Sequence, residues 1–424
     1  MTPARSLRAR AGTVYVFVLA SMTLILASAL LAIDLGRRRL ETLRFQRDAQ
    51  RARSQTQSLF EQTLHYMNDD PDGSSWRSGN TGRYNSISLL GEPGVSQTVT
   101  LTDPGDGALK GVTTDNARLV VSTTAGDAYY AMSADLAVSS RAMNCLDYGL
   151  VVAGTRSGSS PVDYHGGTPS IVSNPASLAV ISRTGGFGAG THTYNHANGL
   201  AGNAGLAAPI PAGAVEVPDG TIIDWYTANG RTITLASLGG KIDKCLFSPS
   251  TSPSGAANAR GIYVVDCAGS DVTISETRVY GTLVLKNAGS GSKFDKQNYL
   301  HSPDPTLPAL IVQGSFTFDM DPGDLTEGGT TRNYNPAGAP FLGATDSDTA
   351  DRYPCMIRGV VFITGNVTMK KTSSIRGCMI VGGNLTNSAT AFLVSKRAPE
   401  ELIPGFTVPS GLTLVPNSVK RQFN

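Results

Sequence analysis

The sequence predicts a long N-terminal α-helix, with a membrane half and a soluble half, followed by a mostly-β C-terminal part that forms a β-solenoid (β-helix). Residues 13–33 carry no charged side chain. Gly and Pro concentrate beyond residue 70, where 45 of the 47 Gly and 22 of the 23 Pro lie. In that part, short apolar runs bounded by Gly recur at a nearly constant spacing. A chain of 424 residues is long for one compact domain, so we expect two or three units.

The N-terminal helix is predicted to run from Thr13 to about Met67, within a segment assigned to residues 13–70. Between Gly12 and Pro71 the sequence contains no Pro and one Gly, which favours an uninterrupted helix. The uncharged stretch 13–33 would extend about 32 Å, close to the thickness of a bilayer hydrocarbon core. The second half is rich in Arg and Gln, and it keeps a thin apolar stripe for a partner, comprising Leu35, Leu40, Leu43, Leu59, Phe60 and Leu64.

The charge is concentrated around this helix. Residues 1–53 contain ten Arg, no Lys and three acidic residues, a local charge of +7 against +2 for the whole chain. The rest of the chain therefore carries about −5, which argues against nucleic acid as a partner of the main body. The basic segment flanks the apolar run, so we expect membrane lipid headgroups to be its partner.

Residues 71–144 are predicted to be a β-rich connecting region. An apolar strand at 98–101 precedes a turn at 103–107 that contains two Asp, two Gly and a Pro. The runs 119–122 and 129–132 flank a Gly-containing turn, which is typical of a β-hairpin.

Residues 145–395 are predicted to form the solenoid. Gly359 is followed by Gly377, and Gly261 by Gly281, so the repeat is about 18–20 residues long. Short strands at this period, with no helices between them, suit coils that stack in register. A β-sandwich of short strands is the alternative. Within the solenoid, residues 155–170 and 184–214 are predicted to be loops or mobile surface. Residues 396–424 are predicted to be a C-terminal tail.

Five cysteines are few for a chain of this length. The spacing is about 22–23 positions between Cys245 and Cys267 and between Cys355 and Cys378. This spacing permits two disulfides outside the cytoplasm and leaves Cys145 outside both pairs. The alternative is five independent small residues in the core.

The sequence contains no motif of a known catalytic class. It lacks a Gly-x-Ser-x-Gly elbow, a phosphate-binding Gly-Lys-Ser/Thr loop and a His-Glu-x-x-His helix. His192 and His196 have helical spacing, but they lie in a Gly-rich stretch where a helix is not expected. We therefore expect no catalytic residue, no cofactor and no metal ligand, and a protein that is not an enzyme. The alternative is a membrane-anchored or secreted β-helix protein that binds or processes surface polysaccharide.

Two acidic segments share an Asp-x-Asp-x-x-Asp pattern. One comprises Asp319, Asp321 and Asp324, and the other comprises Asp346, Asp348 and Asp351. Closely spaced carboxylates on a turn suit calcium. Neither segment is a complete calcium-binding loop with a terminal Glu, so acidic surface turns are the favoured interpretation and calcium binding is left open.

The N-terminal segment resembles a type IV prepilin. A short basic leader with Arg8 and Arg10 ends in Gly12, and a long apolar helix follows that continues as a soluble half. The resemblance covers about residues 5–68. It implies that residues 1–12 are a leader, that a prepilin peptidase cuts between Gly12 and Thr13, and that Thr13 is then methylated. It also implies other pilin-like subunits as partners through the helix, and a bacterial inner membrane location with an extracytoplasmic domain.

The departures from the pattern resemble particular members of that group. Major pilins carry a Glu at the fifth mature position, where this chain has Phe17, and begin with Phe, where it has Thr13. PilX-type pilus assembly proteins and the K-type minor pseudopilin of type II secretion lack that Glu and carry large globular domains. The resemblance thus implies a minor pilin-like or pseudopilin-like subunit of a pilus or secretion filament.

Two other interpretations of the same segment stay open. A signal peptide could be cut after the small-x-small site of Ala27 and Ala29, or the helix could be an uncleaved anchor. The Arg count, three before the apolar run and seven after it, favours a cytoplasmic C-terminal side. The long β-rich body favours the outside.

Overall fold

The computed structural model describes residues 8–71, 73, 76–77, 93–103, 116–147, 150–154, 156–157, 162–163, 180–182, 215–371, 373–387, 392–395 and 402–423. A long, apolar N-terminal helix is followed by a mostly-β part, as the sequence predicts. The chain divides into two compact units. The first consists of Met1–Ser140 and Pro409–Asn424, and the second of Arg141–Val408.

The first unit begins with helix α1, Arg8–Asp69, which is 62 residues long. It starts earlier than the predicted Thr13 and ends slightly beyond Met67. From Val14 to Ile33 every residue is exposed. Among the described residues, α1 is the one helix long and apolar enough to cross a membrane.

An antiparallel sheet completes the first unit. Its strands are β1 (Val95–Thr102), β2 (Ala117–Ala125), β3 (Ala128–Ala142), β24 (Thr407–Leu414) and β25 (Lys420–Phe423). The sheet order is β1-β2-β3-β24, and β25 also pairs with β3. The predicted hairpin is present as β2 and β3, in which Ala125 faces Ala128 across a turn with Gly126 at a φ of 55°.

The C-terminal residues contribute to this sheet. The sequence predicts a tail at 396–424, whereas the structure contains strands β24 and β25 there. Phe423 faces Tyr130 in the β25–β3 ladder, and their ring centroids are 6.1 Å apart. The end of the chain is therefore part of the first unit.

The C-terminal half of α1 packs on the sheet through small and apolar side chains. Buried residues recur along it at spacings of three and four, which place them on one face. They are Ala49, Ala52, Thr56, Leu59, Phe60, Thr63 and Met67. Most of these join one core with Leu101, Leu119, Val121 and Leu136 of the sheet.

The second unit consists mainly of short strands. They are β4 (Leu150–Val152), β5 (Arg156–Ser157), β6 (Val162–Asp163), β7 (Val180–Ser182), β8 (Arg231–Thr234), β9 (Ile242–Asp243), β10 (Leu246–Phe247), β11 (Ile262–Asp266), β12 (Thr273–Tyr280), β13 (Thr282–Lys286), β14 (Lys293–His301), β15 (Leu310–Val312), β16 (Phe316–Asp319), β17 (Asp324–Thr326), β18 (Arg352–Pro354), β19 (Met356–Ile363), β20 (Val367–Met369), β21 (Ser373–Val381), β22 (Leu385–Asn387) and β23 (Phe392–Ser395). Helices α2 (Ile222–Asn229) and α3 (Glu327–Thr330) lie between them.

β17 and β18 form a separate antiparallel pair, and the other strands form three parallel ladders. The first ladder runs β8-β11-β13-β15-β19-β21-β4-β7, the second β9-β12-β14-β16-β20-β22-β5, and the third β10-β12-β14-β19-β21-β23-β6. Their inward side chains stack in rows, such as Leu283 on Leu310, and form a large apolar core. The ladder order departs from chain order, because the early strand β4 pairs with the late strand β21.

The Gly-bounded apolar runs of the sequence are neighbours in these ladders. Gly359 and Gly377, which are one repeat apart in the sequence, are register partners between β19 and β21. Gly383 donates its backbone N–H to the carbonyl of Gly365 at 3.0 Å. The repeat therefore corresponds to the step from one parallel strand to the next.

The cysteines do not form the pairs that their spacing permits. Neither Cys245–Cys267 nor Cys355–Cys378 is a disulfide. Cys245 and Cys267 lie in the main apolar core, and burial raises the pKa of the Cys267 thiol to about 11. Cys378 instead lies beside Cys145, with its Sγ 3.5 Å from the Cys145 carbonyl oxygen. Four of the five cysteines are buried, and Cys355 is partly buried against the main apolar core. This fits the alternative interpretation of small core residues.

Candidate functional site

The apolar half of α1 is the first candidate site. Its residues from 14 to 33 would span about 30 Å, which matches a bilayer core. The three Ser and Thr side chains in this span donate to carbonyls of the helix itself: Ser21 to that of Val18 at 2.9 Å, Thr23 to that of Ala20 at 2.9 Å, and Ser28 to that of Leu24 at 2.7 Å. Because lipid offers no hydrogen bonds, such internal bonding suits a lipid-facing helix.

The predicted processing residues lie at the start of this helix. Gly12 and Thr13 are both within α1. Phe17, at the position where the resemblance implies Glu in major pilins, is 77% exposed. The span therefore presents an apolar side chain at that position.

The apolar stripe that the sequence assigns to a partner divides into two parts. Leu59 and Phe60 are buried, and Leu64 is partly buried, in the core that the helix forms with the sheet of its own unit, so the prediction of a partner is wrong for these residues. Leu35, Leu40 and Leu43 remain 58 to 60% exposed. The buried face also includes Ala52, Thr56 and Thr63, which a pattern of large apolar residues does not indicate. Their small side chains allow the helix to approach the sheet closely.

The first Asp-x-Asp-x-x-Asp segment forms ion pairs with a lysine. Lys371 Nζ lies 3.2 Å from Asp319 Oδ1 and 2.7 Å from Asp321 Oδ1. The two carboxylates raise the pKa of Lys371, so it stays charged. Asp324 is exposed. This segment is an ion-paired surface turn.

The second segment has different surroundings. Oxygens of Asp346, Asp348 and Glu327 all lie within 4.8 Å of one another. No Lys or Arg in the described part of the chain forms an ion pair with these three residues or with Asp351. Burial and the carboxylates of Asp346 and Glu327 raise the pKa of Asp351. The structure thus gathers carboxylates here, and one of them, Glu327, also interacts electrostatically with the buried Arg278 guanidinium.

Glu327 is held in place although it is fully buried. Its Oε1 accepts hydrogen bonds from the Tyr334 backbone N–H at 2.6 Å and from the Tyr353 hydroxyl at 2.7 Å, and its Oε2 accepts one from the Asp351 N–H at 3.1 Å. Burial, together with this carboxylate, raises the pKa of Tyr353. A buried carboxylate costs free energy unless it is paired or ligates a cation.

Asn335 lies against the same carboxylates. Its amide Nδ2 donates to Asp351 Oδ2 at 2.7 Å and to Asp346 Oδ2 at 3.2 Å. The residue is 1% exposed, and its Oδ1 is buried with no hydrogen-bond partner among the described residues. Neither Glu327 nor Asn335 could be identified from the sequence pattern, because neither belongs to the Asp-x-Asp-x-x-Asp segment. The other metal candidates considered in the sequence, His192 and His196, lie outside the described residues.

Among solved structures, the chain is similar to the competence-associated pilin ComZ from Thermus thermophilus, at 11% identity and a TM-score of 0.29, with 89% of this chain and 98% of that chain covered. This TM-score is too low to establish a shared fold. No protein-family model and no curated protein matches the chain.

Proposed function

We propose that this chain is a minor pilin-like or pseudopilin-like subunit that serves structure and assembly in a type IV pilus or a type II secretion-type filament. The observation that supports it is the division of α1. Residues 14–33 are apolar and exposed, whereas Ala49 to Met67 pack on a sheet of the same unit. Such a helix anchors at one end and carries a folded body at the other, as the prepilin resemblance implies.

The exposed half is proposed to lie in the bacterial inner membrane before assembly. Exposure of large side chains such as Leu24 and Leu31 to water, at 73% and 64%, would be unfavourable. Lipid or the helices of neighbouring subunits would remove this surface from water. The basic residues that follow the span would then lie near lipid headgroups.

The helix is proposed to mediate assembly as well as anchorage. Leu35, Leu40 and Leu43 lie beyond the lipid span, yet they are exposed and the sheet of the same unit does not cover them. Within the span, small residues permit close helix–helix contact. They are Ala20, Ser21, Ala27, Ser28, Ala29 and Ala32.

The second unit is proposed to be a β-solenoid displayed on the extracytoplasmic side. Three parallel ladders, in which a strand pairs with the strand of the next repeat, support coils of three sides. The register pairing of Gly359 with Gly377 supports a regular coil length. We propose that this unit is structural or adhesive and has no hydrolytic activity. Breakdown of any glycan by the purified chain in a broad polysaccharide screen would contradict this part.

The experiment that tests the proposal is the determination of the native N-terminus. Mass spectrometry of protein from its own cells should give a methylated Thr13, since a prepilin peptidase is proposed to cut after Gly12. The branched side chain in Gly12→Val should block the cut and leave residues 1–12 attached. A native N-terminus at Leu30 would indicate a signal peptide, and an intact leader a simple anchor; either result would overturn the proposal.

A second measurement tests the assembly role of the helix. Ala27→Leu with Ser28→Leu keeps the span apolar but fills its packing surface, so co-purification with pilin-like partners should fall. Leu30→Ile with Leu31→Ile is the matched control, because it changes shape without adding volume. If the Ala27→Leu/Ser28→Leu variant co-purifies with partners at the wild-type level, the helix is an anchor and does not mediate assembly.

A further inference from the structure

The two Asp-x-Asp-x-x-Asp segments are alike in sequence and opposite in environment. Lys371 Nζ lies within 3.2 Å of both Asp319 and Asp321, so the lysine ammonium group already pairs with carboxylates of the first segment. In the second segment, Asp346 and Asp348 have no such lysine or arginine among the described residues. The structure adds the buried carboxylate of Glu327 instead.

The oxygen positions suit one calcium ion. Calcium binds six to eight oxygens at about 2.3–2.6 Å, so two oxygens on opposite sides of the ion are about 5 Å apart. The oxygens of Glu327, Asp346 and Asp348 lie within 4.8 Å of one another. Three carboxylates at this distance repel one another, and a divalent cation between them would remove the repulsion.

An orphaned buried oxygen independently indicates a ligand. Asn335 Oδ1 has no hydrogen-bond partner among the described residues, although the residue is 1% exposed and its amide faces Asp346 and Asp351. An unsatisfied buried acceptor costs about 1–3 kcal/mol. Amide oxygen and nitrogen exchange places on rotation of the side chain. That rotation would present Oδ1 to a cation held by the carboxylates.

We propose that Glu327, Asp346 and Asp348, together with Asn335 Oδ1, bind a calcium ion, with Asp351 beside it and water completing the coordination. The donors are carboxylate and amide oxygens, the ligands of hard cations. Calcium is favoured over magnesium because magnesium dehydrates reluctantly and demands a near-ideal octahedron. The site is independent of the proposed pilin-like function.

The site would connect two segments of the second unit. Glu327 lies in α3, next to β17, while Asp351 directly precedes β18. Asp346 and Asp348 belong to the stretch between them. Calcium would fix this stretch against a carboxylate that the fold has already buried, and so would stabilise the folded state.

The test uses the full-length chain, purified in detergent and stripped of metal with a chelator. Calorimetric titration with calcium should give one site per chain, with a dissociation constant of about 10⁻⁴–10⁻³ M, as in extracellular calcium modules. Magnesium should bind at least tenfold more weakly, and calcium should raise the unfolding temperature. Terbium bound at this site should emit on excitation of tyrosine, because the Tyr353 hydroxyl lies 2.7 Å from Glu327.

Paired variants separate this site from general acidity. D346N with D348N should abolish calcium binding and the terbium signal. Without calcium it should unfold at the wild-type temperature or higher, because two like charges are gone. D319N with D321N is the matched control and should retain both signals. Absence of a calcium-dependent shift in the wild type, or loss of binding in the control rather than in D346N/D348N, would overturn the proposal.

Discussion

The carbonyl oxygen of Gly359 occupies the place where a side chain on Gly377 would begin. A Cβ built on Gly377 would lie 2.1 Å from that oxygen, and the φ of Gly377 is 154°. Gly281 has the same relation to Gly261, at 2.2 Å. Gly at these positions therefore allows two backbones to approach closely in neighbouring strands.

Substitution of Gly377 by Ala should destabilise the second unit. The added methyl group collides with backbone rather than with a flexible side chain, so the strands must separate. We expect a loss of about 2–3 kcal/mol, within the usual cost of overpacking. Calorimetric melting of the full chain measures it. Gly220→Ala is the control, since a Cβ there meets nothing within 4 Å, and an equal loss in both variants would contradict the argument.

The stacking of these Gly-bounded runs could be predicted from the sequence, but the position of the first strands could not. The recurrence of the same Gly-bounded run at Gly359 and at Gly377 indicates neighbouring parallel strands, because a repeat of constant length brings equivalent residues side by side. The pairing of Leu150 with Met379 joins residues distant in the chain. No periodicity extends across that distance, so local patterns carry no information about it.

Truncation of Leu59, in the packed half of α1, should destabilise the protein more than truncation of a leucine in the exposed part. Leu59 is 0% exposed in the core of the first unit, whereas Leu40 on the same helix is 58% exposed. Leu59→Ala should cost about 2–5 kcal/mol, the usual range for a buried Leu. Leu40→Ala should change the unfolding free energy by less than about 0.5 kcal/mol. Thermal melting of both variants measures the difference, and equal losses would show that the helix packs differently.

The candidate cation site shows what a motif omits. Both Asp-x-Asp-x-x-Asp segments look equivalent in sequence, yet Lys371 approaches one and Glu327 the other. Lys371 is distant from Asp321 in the chain and reaches it through the pairing of β16 with β20. Only the strand register determines which segment receives the lysine.

Replacement of Arg278 should unfold the segment that packs over β12. Its guanidinium is buried, donates hydrogen bonds to the carbonyls of Tyr334, Ala339 and Pro340, and lies 5.0 Å from the Tyr353 ring centre. Arg278→Leu leaves these carbonyls without a donor, at about 1–3 kcal/mol each. We therefore expect a loss of at least about 3 kcal/mol in chemical unfolding.

The control for Arg278 is an exposed arginine of the same parallel ladder. Arg376 in β21 is exposed, so Arg376→Leu should stay within about 0.5 kcal/mol of the wild type. Arg278→Lys should fall between the two, because a lysine supplies charge without the planar fork. Equal stability of Arg278→Leu and Arg376→Leu would show that the carbonyls find other donors.

Acid should weaken the contact between Glu216 and Arg141. The Arg141 guanidinium, which bonds to both carboxylate oxygens, and the Asn144 N–H at 3.1 Å lower the pKa of Glu216. Because the pKa of Glu216 is lower in the folded state than the value of about 4.3 in the unfolded chain, the ionised carboxylate stabilises the folded state above that unfolded value. This stabilisation is lost as the pH falls through the folded pKa. Glu216→Gln should therefore melt below the wild type at neutral pH, and the difference should vanish in acid.

A double-mutant cycle tests whether Arg141 causes this pH dependence. In the Glu216→Gln background, Arg141→Gln should have little further effect at neutral pH, since the ion pair is already lost. In the wild-type background the same change should lower the melting temperature. Additive losses from the two substitutions would mean that the residues contribute independently.

The exposed leucines beyond the lipid span should matter for assembly and not for folding. Leu35, Leu40 and Leu43 lie on α1 between the apolar residues 14–33 and the part that packs on the sheet, and all three are exposed. Their replacement together by Ala removes apolar surface that the chain itself does not bury. The free energy of unfolding of the purified chain should therefore stay within about 1 kcal/mol of the wild-type value.

In a filament the same three leucines would be buried against neighbouring helices. Burial of an exposed Leu contributes about 1.5–3 kcal/mol, so their joint loss should greatly reduce recovery of the chain with sheared filaments. Leu26→Ala with Leu30→Ala and Leu31→Ala, a matched triple change inside the span, separates this effect from anchorage, because it should also lower the amount in the membrane. If the Leu35/Leu40/Leu43 variant is recovered with filaments at the wild-type level, those side chains face water in the assembled state. Beyond residue 33 the helix would then be only a tether.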